Sequence, residues 1–375
     1  MNFEKLQAYQ DSLREAGVPG CDLVVFQDHH PIYRHQAGFR DAGKQIPMNG
    51  RECFWLFSCT KLLTTCAVMQ WVEKEKIGLD DPVSDYLPSF SNLTVKDGDG
   101  KRPARHEMTI RHLMSMQSGL SYDLGMPSIL EVIRKTQGQA STMDIIQALP
   151  KDPLSFDPGT DFLYSLSHDV LAAVVEKVSG KKFSDCLKEQ IFDPLDLHGF
   201  TFKLGEAERK DLCAIYCMEE QKAVLQEPDS NNYQLTKNYE SGGAGLIGRT
   251  DDMIRFLDVL ACGGKTESGK RLLSPEMIQL WRANQLGPRG RRSFDQWNRR
   301  GYSYGLGVRT RVNDAIGGKG PVGEFGWDGA AGSWAMIDCE NRVSAFFAMH
   351  VRNFGYAYDV LHPTLRNLIY EGMEA

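Results

Sequence analysis

Ser58 and Lys61 are the first two residues of this 375-residue chain whose types and spacing suggest covalent chemistry. On a helix, residues three apart share a face, so the lysine amine can approach the serine hydroxyl. A serine hydroxyl is a weak nucleophile until a neighbouring base takes its proton, and a neutral lysine can be that base. At the N-terminus of a helix, the backbone N–H of the serine also points toward a carbonyl oxygen under attack. The pair therefore predicts an activated serine.

The spacing alone is a weak signal, because Ser179 and Lys182 repeat it where Gly180 marks the end of a helix. Two later segments strengthen the prediction. Tyr164 lies on a predicted loop just before a helix, and residues 326–333 form a stretch of mostly small residues leading into a strand. A backbone N–H in such a stretch can approach a substrate closely.

In this order, the segments resemble the serine β-lactamase and penicillin-binding-protein superfamily, whose signature includes Ser-x-x-Lys. The resemblance covers about residues 54–351 and is closest to the class C β-lactamase branch, which includes the family VIII carboxylesterases. It implies that Ser58 is the acylated nucleophile, Lys61 its partner and Tyr164 the residue that shuttles protons. It also implies that Ala330 supplies the second oxyanion N–H, opposite that of Ser58. Further matching segments are residues 108–113, 118–120, 192–195, 241–246 and 304–307.

The chain departs from the β-lactamase pattern at two substrate-binding positions. Leu166 stands where the lactamases have the Asn of Tyr-x-Asn, and Trp327-Asp328-Gly329 stands where they have Lys-Thr-Gly or His-x-Gly. Trp327 carries no charge, and losing a charge-assisted contact to a substrate carboxylate forfeits roughly 1.5–3 kcal/mol. Leu166 and the Trp327–Gly329 triplet are the expected substrate contacts. Asp328 either lines the site or faces solvent. Tyr122 either reaches the mouth of the cleft or packs against other residues of the protein.

These departures favour a serine carboxylesterase acting on small or medium esters. Weak β-lactam hydrolysis is compatible with such an activity. A class C-type β-lactamase, a D-amino-acid peptidase and an acyltransferase are the alternatives within the family. A catalytically silent ligand-binding or scaffold protein of the same fold is the alternative outside enzymes, and the intact Ser58, Lys61 and Tyr164 set argues against it.

The mechanism requires shifted proton affinities. A free lysine has a pKa of about 10.4, so Lys61 would need a downward shift of roughly 3.4 units to be half neutral at pH 7. Tyr164 would need a comparable downward shift to act as the base, which a nearby Lys61 cation would favour, and the sequence does not assign the proton within the pair. Cys59 is predicted to be structural, and His168 to be a surface residue in the first turn of a helix that Ser167 caps.

The secondary-structure pattern places strands near both ends of the chain and helices between them. Helices are predicted at Asn2–Ala16 and Tyr358–Tyr370, and strands at Cys21–Phe26, Ile32–Ala37, Tyr302–Val308, Ser333–Ile337 and Val343–Val351. The simplest packing is an α/β (α+β) fold of β-lactamase type, in which an antiparallel sheet from both termini is flanked by helices and carries a mostly helical inserted domain.

The corresponding domain boundaries are 1–79 with 239–375 for the sheet domain and 80–238 for the helical domain. The active site is expected in the cleft between the two domains, a usual place for a ligand site.

Composition excludes several function classes. Lys and Arg number 43 against 49 Asp and Glu, a net charge of −6, so a nucleic-acid partner is not expected. No run approaches the roughly 18 apolar residues of a membrane helix, and the N-terminus lacks a signal-peptide pattern, so a cytoplasmic location is expected. The nine cysteines form no metal-binding pattern. We predict no metal and no cofactor, a small-molecule ester or β-lactam-like substrate as the partner, and leave the oligomeric state open.

Overall fold

The computed structural model describes all 375 residues. The strands are β1 (Gly20–Gln27), β2 (His30–Asp41), β3 (Ile46–Pro47), β4 (Cys53–Trp55), β5 (Thr94–Asp97), β6 (Gly100–Pro103), β7 (Tyr216–Glu219), β8 (Lys222–Leu225), β9 (Ile247–Arg249), β10 (Tyr302–Tyr304), β11 (Arg309–Arg311), β12 (Phe325–Gly326), β13 (Trp334–Asp338), β14 (Val343–Met349) and β15 (Val351–Arg352).

The α-helices are α1 (Glu4–Ser12), α2 (Thr60–Glu73), α3 (Val83–Tyr86), α4 (Ile110–Met114), α5 (Pro127–Lys135), α6 (Thr142–Ala148), α7 (Ser167–Ser179), α8 (Phe183–Leu187), α9 (Asp193–Leu195), α10 (Glu206–Asp211), α11 (Thr250–Ala261), α12 (Pro275–Arg282), α13 (Pro288–Asp295) and α14 (His362–Glu374). Short 3-10 turns lie at Phe57–Cys59, Pro88–Asn92 and Leu149–Lys151, and π-helical turns at Lys188–Phe192 and Ala357–Leu361. None of the helices combines the length and apolar composition needed to cross a membrane.

The main sheet has eight strands in the order β10-β11-β12-β13-β14-β1-β2-β3. All of its pairings are antiparallel, and the N-terminal β1 pairs with the C-terminal β14 from Cys21 opposite Met349 to Gln27 opposite Val343. The predicted antiparallel sheet built from both ends of the chain is therefore confirmed.

The sheet is buried on both faces, which explains why β1 is nearly continuously apolar. Successive side chains of a strand point to opposite faces. Leu23 and Val25 join a cluster of 21 buried residues that includes Leu6 of α1 and Leu365 of α14. Val24 belongs instead to a cluster of 70 buried residues, which contains much of α2, α7 and α11. The terminal helices thus cover one face and the central helices the other.

Residues 80–238 contain α3 to α10, as the helical pattern predicted, together with two short hairpins, β5–β6 and β7–β8. The second hairpin is tied to the C-terminal part of the chain, because β7 pairs in parallel with β15. The large buried cluster draws on both predicted domains. The two-domain division therefore stays a prediction.

Several local predictions can be compared directly with the structure. Thr109 caps α4 by accepting a hydrogen bond from the backbone N–H of His112 at 3.3 Å, and Gly180 ends α7 with a φ of +67°. The prediction that Ser167 caps α7 is wrong: Leu166 occupies the cap position without a side-chain bond. The Ser167 hydroxyl bonds to neighbouring serine hydroxyls instead.

Candidate active site

A sharp turn places Ser58 at the start of α2. Strand β4 pairs with β9 and ends at Trp55, and Phe57 then adopts a φ of +46°, a conformation that bulky residues rarely take. Complete burial of Phe57 holds this conformation, with its ring packed edge-on against Tyr233 at 6.2 Å. Ser58 follows in the first turn, where backbone N–H groups have no intrahelical acceptor.

The side chain of Lys61 is completely buried beneath the serine. Its Nζ donates to Ser58 Oγ at 3.2 Å, to the hydroxyl of Tyr122 at 3.3 Å and to the carbonyl oxygen of Gly243 at 2.7 Å. The same atom lies 4.6 Å from the centroid of the Tyr164 ring. Three acceptors match the three donors of an ammonium group, so the lysine is fixed in position. The predicted contact between the lysine and the serine is present.

Burial shifts the proton affinities of the lysine and the tyrosine in opposite directions. Desolvation lowers the pKa of Lys61 to about 7, although attraction by Asp169 acts against the shift. Desolvation raises the pKa of Tyr164 well above 10, and hydrogen bonds with Ser58 and Trp327 only partly oppose it. The downward shift that Tyr164 would need to act as the base is therefore absent, because loss of hydration outweighs its hydrogen bonds. Of the two, only Lys61 titrates near neutrality.

Tyr164 and Trp327 form one aromatic unit beside the serine. The indole Nε1–H of Trp327 donates to the Tyr164 hydroxyl at 2.9 Å, and the two rings stack with centroids 5.5 Å apart. Tyr304 meets the Trp327 ring edge-on at 5.1 Å. Trp327 thus orients the phenol that faces Ser58.

The turn after Trp327 brings a free backbone donor into the site. A Cβ atom on Gly329 would lie only 2.5 Å from the carbonyl oxygen of Leu56, so only glycine fits there. This close approach sets Ala330 beside the turn that carries Ser58. Both residues line the same cavity, and the N–H of Ala330 donates to no group of the protein. Such a donor can bind the oxyanion of a tetrahedral intermediate.

The cavity above Ser58 has a volume of about 350 Å³. Its walls are mostly aromatic and small residues, with one Arg and two Asp: Ser58, Tyr164, Tyr233, Trp297, Arg299, Trp327, Asp328, Gly329, Ala330, Gly355, Tyr358 and Asp359. Trp297, Tyr233 and Tyr358 were not predicted from the sequence. Tyr233 and Trp297 come from two loops and Tyr358 from the π-helical turn Ala357–Leu361, and nothing local in the sequence marks them.

The charge of Asp328 is matched by two arginines. Its Oδ1 accepts from Arg309 at 2.7 Å and its Oδ2 from Arg299 at 2.8 Å. Attraction by these arginines keeps the pKa of Asp328 below its ordinary value in spite of burial. The alternative that Asp328 faces solvent is wrong, since it is 7% exposed. The cavity wall therefore carries a neutralised ion pair in place of the free cation of the lactamases.

Two expected substrate contacts lie elsewhere. Leu166 is 2% exposed and packs in the large core, outside the cavity wall, because the helix that begins directly after it turns its side chain inward. Tyr122 contacts Lys61 and does not line the cavity. His168 is completely buried and bonds through Nε2 to Thr65 Oγ1 at 3.1 Å, so its predicted surface position is also wrong. Helix α7 runs through the core and buries its whole first turn.

Only one cluster in the chain has the side chains that a metal ion could use. His29, Asp258 and Cys262 place their ligand atoms within 4.8 Å of one another, outside the cavity wall. His29 Nδ1 and Asp258 Oδ2 already form a 2.7 Å ion pair. The site around Ser58 contains no comparable set.

Comparison with known proteins agrees with this geometry. The sequence model of the family described as Beta-lactamase matches residues 4–366. Protein Rv1367c of Mycobacterium tuberculosis is 27% identical over 351 residues, covering 90% of this chain and 87% of that protein. Esterase EstB of Burkholderia gladioli is 28% identical over 354 residues, covering 88% and 85%.

The solved structure of EstCE1, described as a hydrolase with promiscuous acyltransferase activity, superposes with a TM-score of 0.82. It is 24% identical, and the match covers 98% of both chains. The predicted fold is thereby confirmed. Because the family match extends over nearly the whole length, the chain belongs to the β-lactamase family.

Proposed function

We propose that this protein is a serine carboxylesterase that forms a covalent acyl-enzyme with small or medium neutral esters. The observation that carries the proposal is the contact of Ser58 Oγ with a buried Lys61 at 3.2 Å, inside a cavity whose wall also bears the unpaired N–H of Ala330. A nucleophile, a base that titrates near neutrality and an oxyanion donor are the three parts that acyl transfer needs.

The first half of the cycle acylates the serine. Ser58 Oγ attacks the ester carbonyl while neutral Lys61 takes its proton, and the N–H groups of Ser58 and Ala330 bind the oxyanion. Each such donor contributes roughly 2.7–4 kcal/mol to the barrier reduction. As the tetrahedral intermediate collapses, the alcohol leaves with a proton passed from the Lys61 ammonium through the Tyr164 hydroxyl.

The second half releases the acid. A water molecule enters the space that the alcohol has left, gives a proton back to Lys61 through Tyr164 and attacks the acyl carbonyl. The intermediate collapses with protonation of Ser58 Oγ, which restores the starting state. Because Tyr164 stays neutral at rest, its hydroxyl relays protons and Lys61 stores them.

The charge of the cavity supports an ester over a β-lactam substrate. Arg299 is the cation on the wall, and its two Nη atoms already bond to Asp328 and to the carbonyl oxygen of Tyr358. A substrate carboxylate would have to compete with Asp328 for that arginine. Neutral substrates have no such cost, and aromatic walls suit their apolar groups. The similarity to an esterase points to the same substrate class.

A serine-dependence experiment tests the proposal. We expect p-nitrophenyl butyrate to be hydrolysed and a fluorophosphonate probe to label the protein, and Ser58→Ala to abolish labelling and lower turnover by about 10³-fold or more. Ser179→Ala is the matched control, because Ser179 belongs to the other Ser-x-x-Lys sequence. Labelling that persists in Ser58→Ala would refute the mechanism, and faster cleavage of nitrocefin than of the ester would refute the substrate preference.

Acyl transfer to an alcohol is a second candidate activity, since EstCE1 is described as having both activities. An apolar cavity admits an alcohol as readily as water, and both would lose a proton to the same base. Product analysis with p-nitrophenyl butyrate and added 1-butanol measures the ratio of butyl butyrate to butyric acid. Butyric acid as the sole product would exclude this activity for that acceptor.

A further inference from the structure

Close to Lys61 lies a fully buried carboxylate that the mechanism above does not use, that of Asp169 in the first turn of α7. Its Oδ1 accepts hydrogen bonds from the hydroxyl of Ser241 at 2.5 Å and from that of Tyr239 at 2.8 Å. Its Oδ2 has no hydrogen-bond partner. A fully buried carboxylate destabilises the folded state unless a nearby positive charge compensates its charge.

Asp169 anchors the loop that contacts Lys61. The Ser241 hydroxyl that donates to Asp169 also accepts from the N–H of Ala244 at 3.0 Å, which closes a tight turn around Gly243. The carbonyl oxygen of Gly243 is the shortest contact of Lys61 Nζ, at 2.7 Å. The same glycine abuts the carboxylate, because a Cβ atom on it would lie 2.6 Å from Asp169 Oδ2. One loop therefore connects the carboxylate to the lysine.

Other ionisable groups near Lys61 are neutral at neutral pH. From the 3-10 turn just before α2 comes the thiol of Cys59, and from two loops come the hydroxyls of Tyr122 and Tyr164; burial raises the pKa of all three. From α7 comes His168, whose pKa lies well below its ordinary value because of burial and of Lys61. Tyr239, on the loop that leads to Ser241, faces Asp169. Burial raises the pKa of its hydroxyl, so Tyr239 is neutral as well.

The negative charge nearest to Lys61 is therefore that of Asp169. Burial raises the pKa of Asp169, and the Ser241 hydroxyl, the Lys61 ammonium and the Tyr239 hydroxyl act against that shift. Conversely, attraction by Asp169 raises the pKa of Lys61 and so opposes the lowering of that pKa by desolvation.

We propose that Asp169 is a positioning residue that holds the Gly243 carbonyl against Lys61 and supplies the buried negative charge that sets the pH range in which Lys61 accepts the Ser58 proton. This inference rests on the proposed role of Lys61 as the base. Without that charge Lys61 would lose its proton at lower pH. An opposite charge close to a titrating group shifts it by about 1–3 units, and we expect the lower end for a contact made across a loop.

The test measures the second-order rate of fluorophosphonate labelling of Ser58 as a function of pH, in the full chain. In the wild type the rate should rise with pH through about 7. In Asp169→Asn the midpoint of this rise should move down by about one unit. Asp258→Asn is the matched control: Asp258 is also buried and hydrogen-bonded, but to His29, and its loss should leave the midpoint in place.

Asp169→Ser keeps the proposal testable if Asp169→Asn does not fold. It removes the same negative charge and keeps a hydroxyl beside Ser241 and Tyr239, so the midpoint should again move down by about one unit. An unmoved or raised midpoint in the variant that folds would overturn the proposal, whatever happens to the maximal rate. A wild type that is not labelled at all would refute the proposed function instead, which separates the two failures.

Discussion

Trp327→Phe tests whether the indole nitrogen orients Tyr164. The substitution keeps an aromatic ring beside Tyr164 and removes one hydrogen bond, the 2.9 Å contact from Nε1–H to the phenol oxygen. Leaving a buried polar group without its partner costs about 1–3 kcal/mol. Because Tyr164 keeps its contact with Ser58, we take the lower half of this range, and about 1.4 kcal/mol corresponds to a tenfold loss of rate.

The assay is kcat/KM for p-nitrophenyl butyrate, together with the thermal unfolding midpoint. Trp327 is 2% exposed, so the smaller ring also leaves a void, and stability should fall by less than the roughly 3–5 kcal/mol of a full truncation. Rates are therefore compared well below the unfolding midpoint of the variant.

Trp297→Phe is the matched control. Trp297 lines the same cavity and packs 5.1 Å from the Tyr164 ring, but it is 37% exposed and does not bond to the Tyr164 hydroxyl. We expect its kcat to change less than threefold. If Trp327→Phe keeps full kcat/KM, or if both variants lose activity equally, the Trp327 hydrogen bond does not orient the phenol.

Two further predictions follow from the charges of the site. The rate kcat/KM should rise with pH around 7, because burial lowers the pKa of Lys61 to about 7 and only the neutral amine accepts a proton; a pH profile that is flat between 5 and 9 would contradict this. Asp328→Asn should destabilise the fold by about 3–5 kcal/mol in a urea titration, because it leaves the buried Arg309 and the partly buried Arg299 without their shared carboxylate. The pKa of Asp328 is depressed in the fold, so in the wild type this contribution is present above about pH 4 and is lost as pH falls toward the folded-state pKa; an unchanged unfolding free energy at pH 7 would count against the pairing.

Features that depend on local sequence were predictable. The Thr109 cap and the Gly180 stop of two helices follow from the residues at the helix ends. The apolar character of β1 and β14 follows from their burial on both faces of the sheet. The residues that could form the site were also found, because Ser58-x-x-Lys61 and Tyr164 carry their chemistry in their residue types.

Features that depend on which segments meet in space were not predictable. Ser167 looks like a helix cap and His168 like a surface residue, yet α7 lies inside the core, so both side chains find buried partners instead of backbone or solvent. Tyr233, Trp297 and Tyr358 reach the cavity from segments far apart in the chain. No periodicity relates them, so no pattern could select them.

The charge that a cavity presents to a substrate likewise depends on which charged side chains pair with one another in the fold. Trp327 in place of a lysine or histidine predicts the loss of a cation, but Arg299 lines the same wall. Arg299 is not free to bind a substrate anion, because Asp328 lies between Arg299 and Arg309, with bonds of 2.8 and 2.7 Å. The arginines lie 29 and 19 residues away in the chain, so their pairing exists only in the fold. The proposed preference for neutral esters therefore depends on this ion pair as much as on Trp327, and a variant that frees Arg299 should admit anionic substrates.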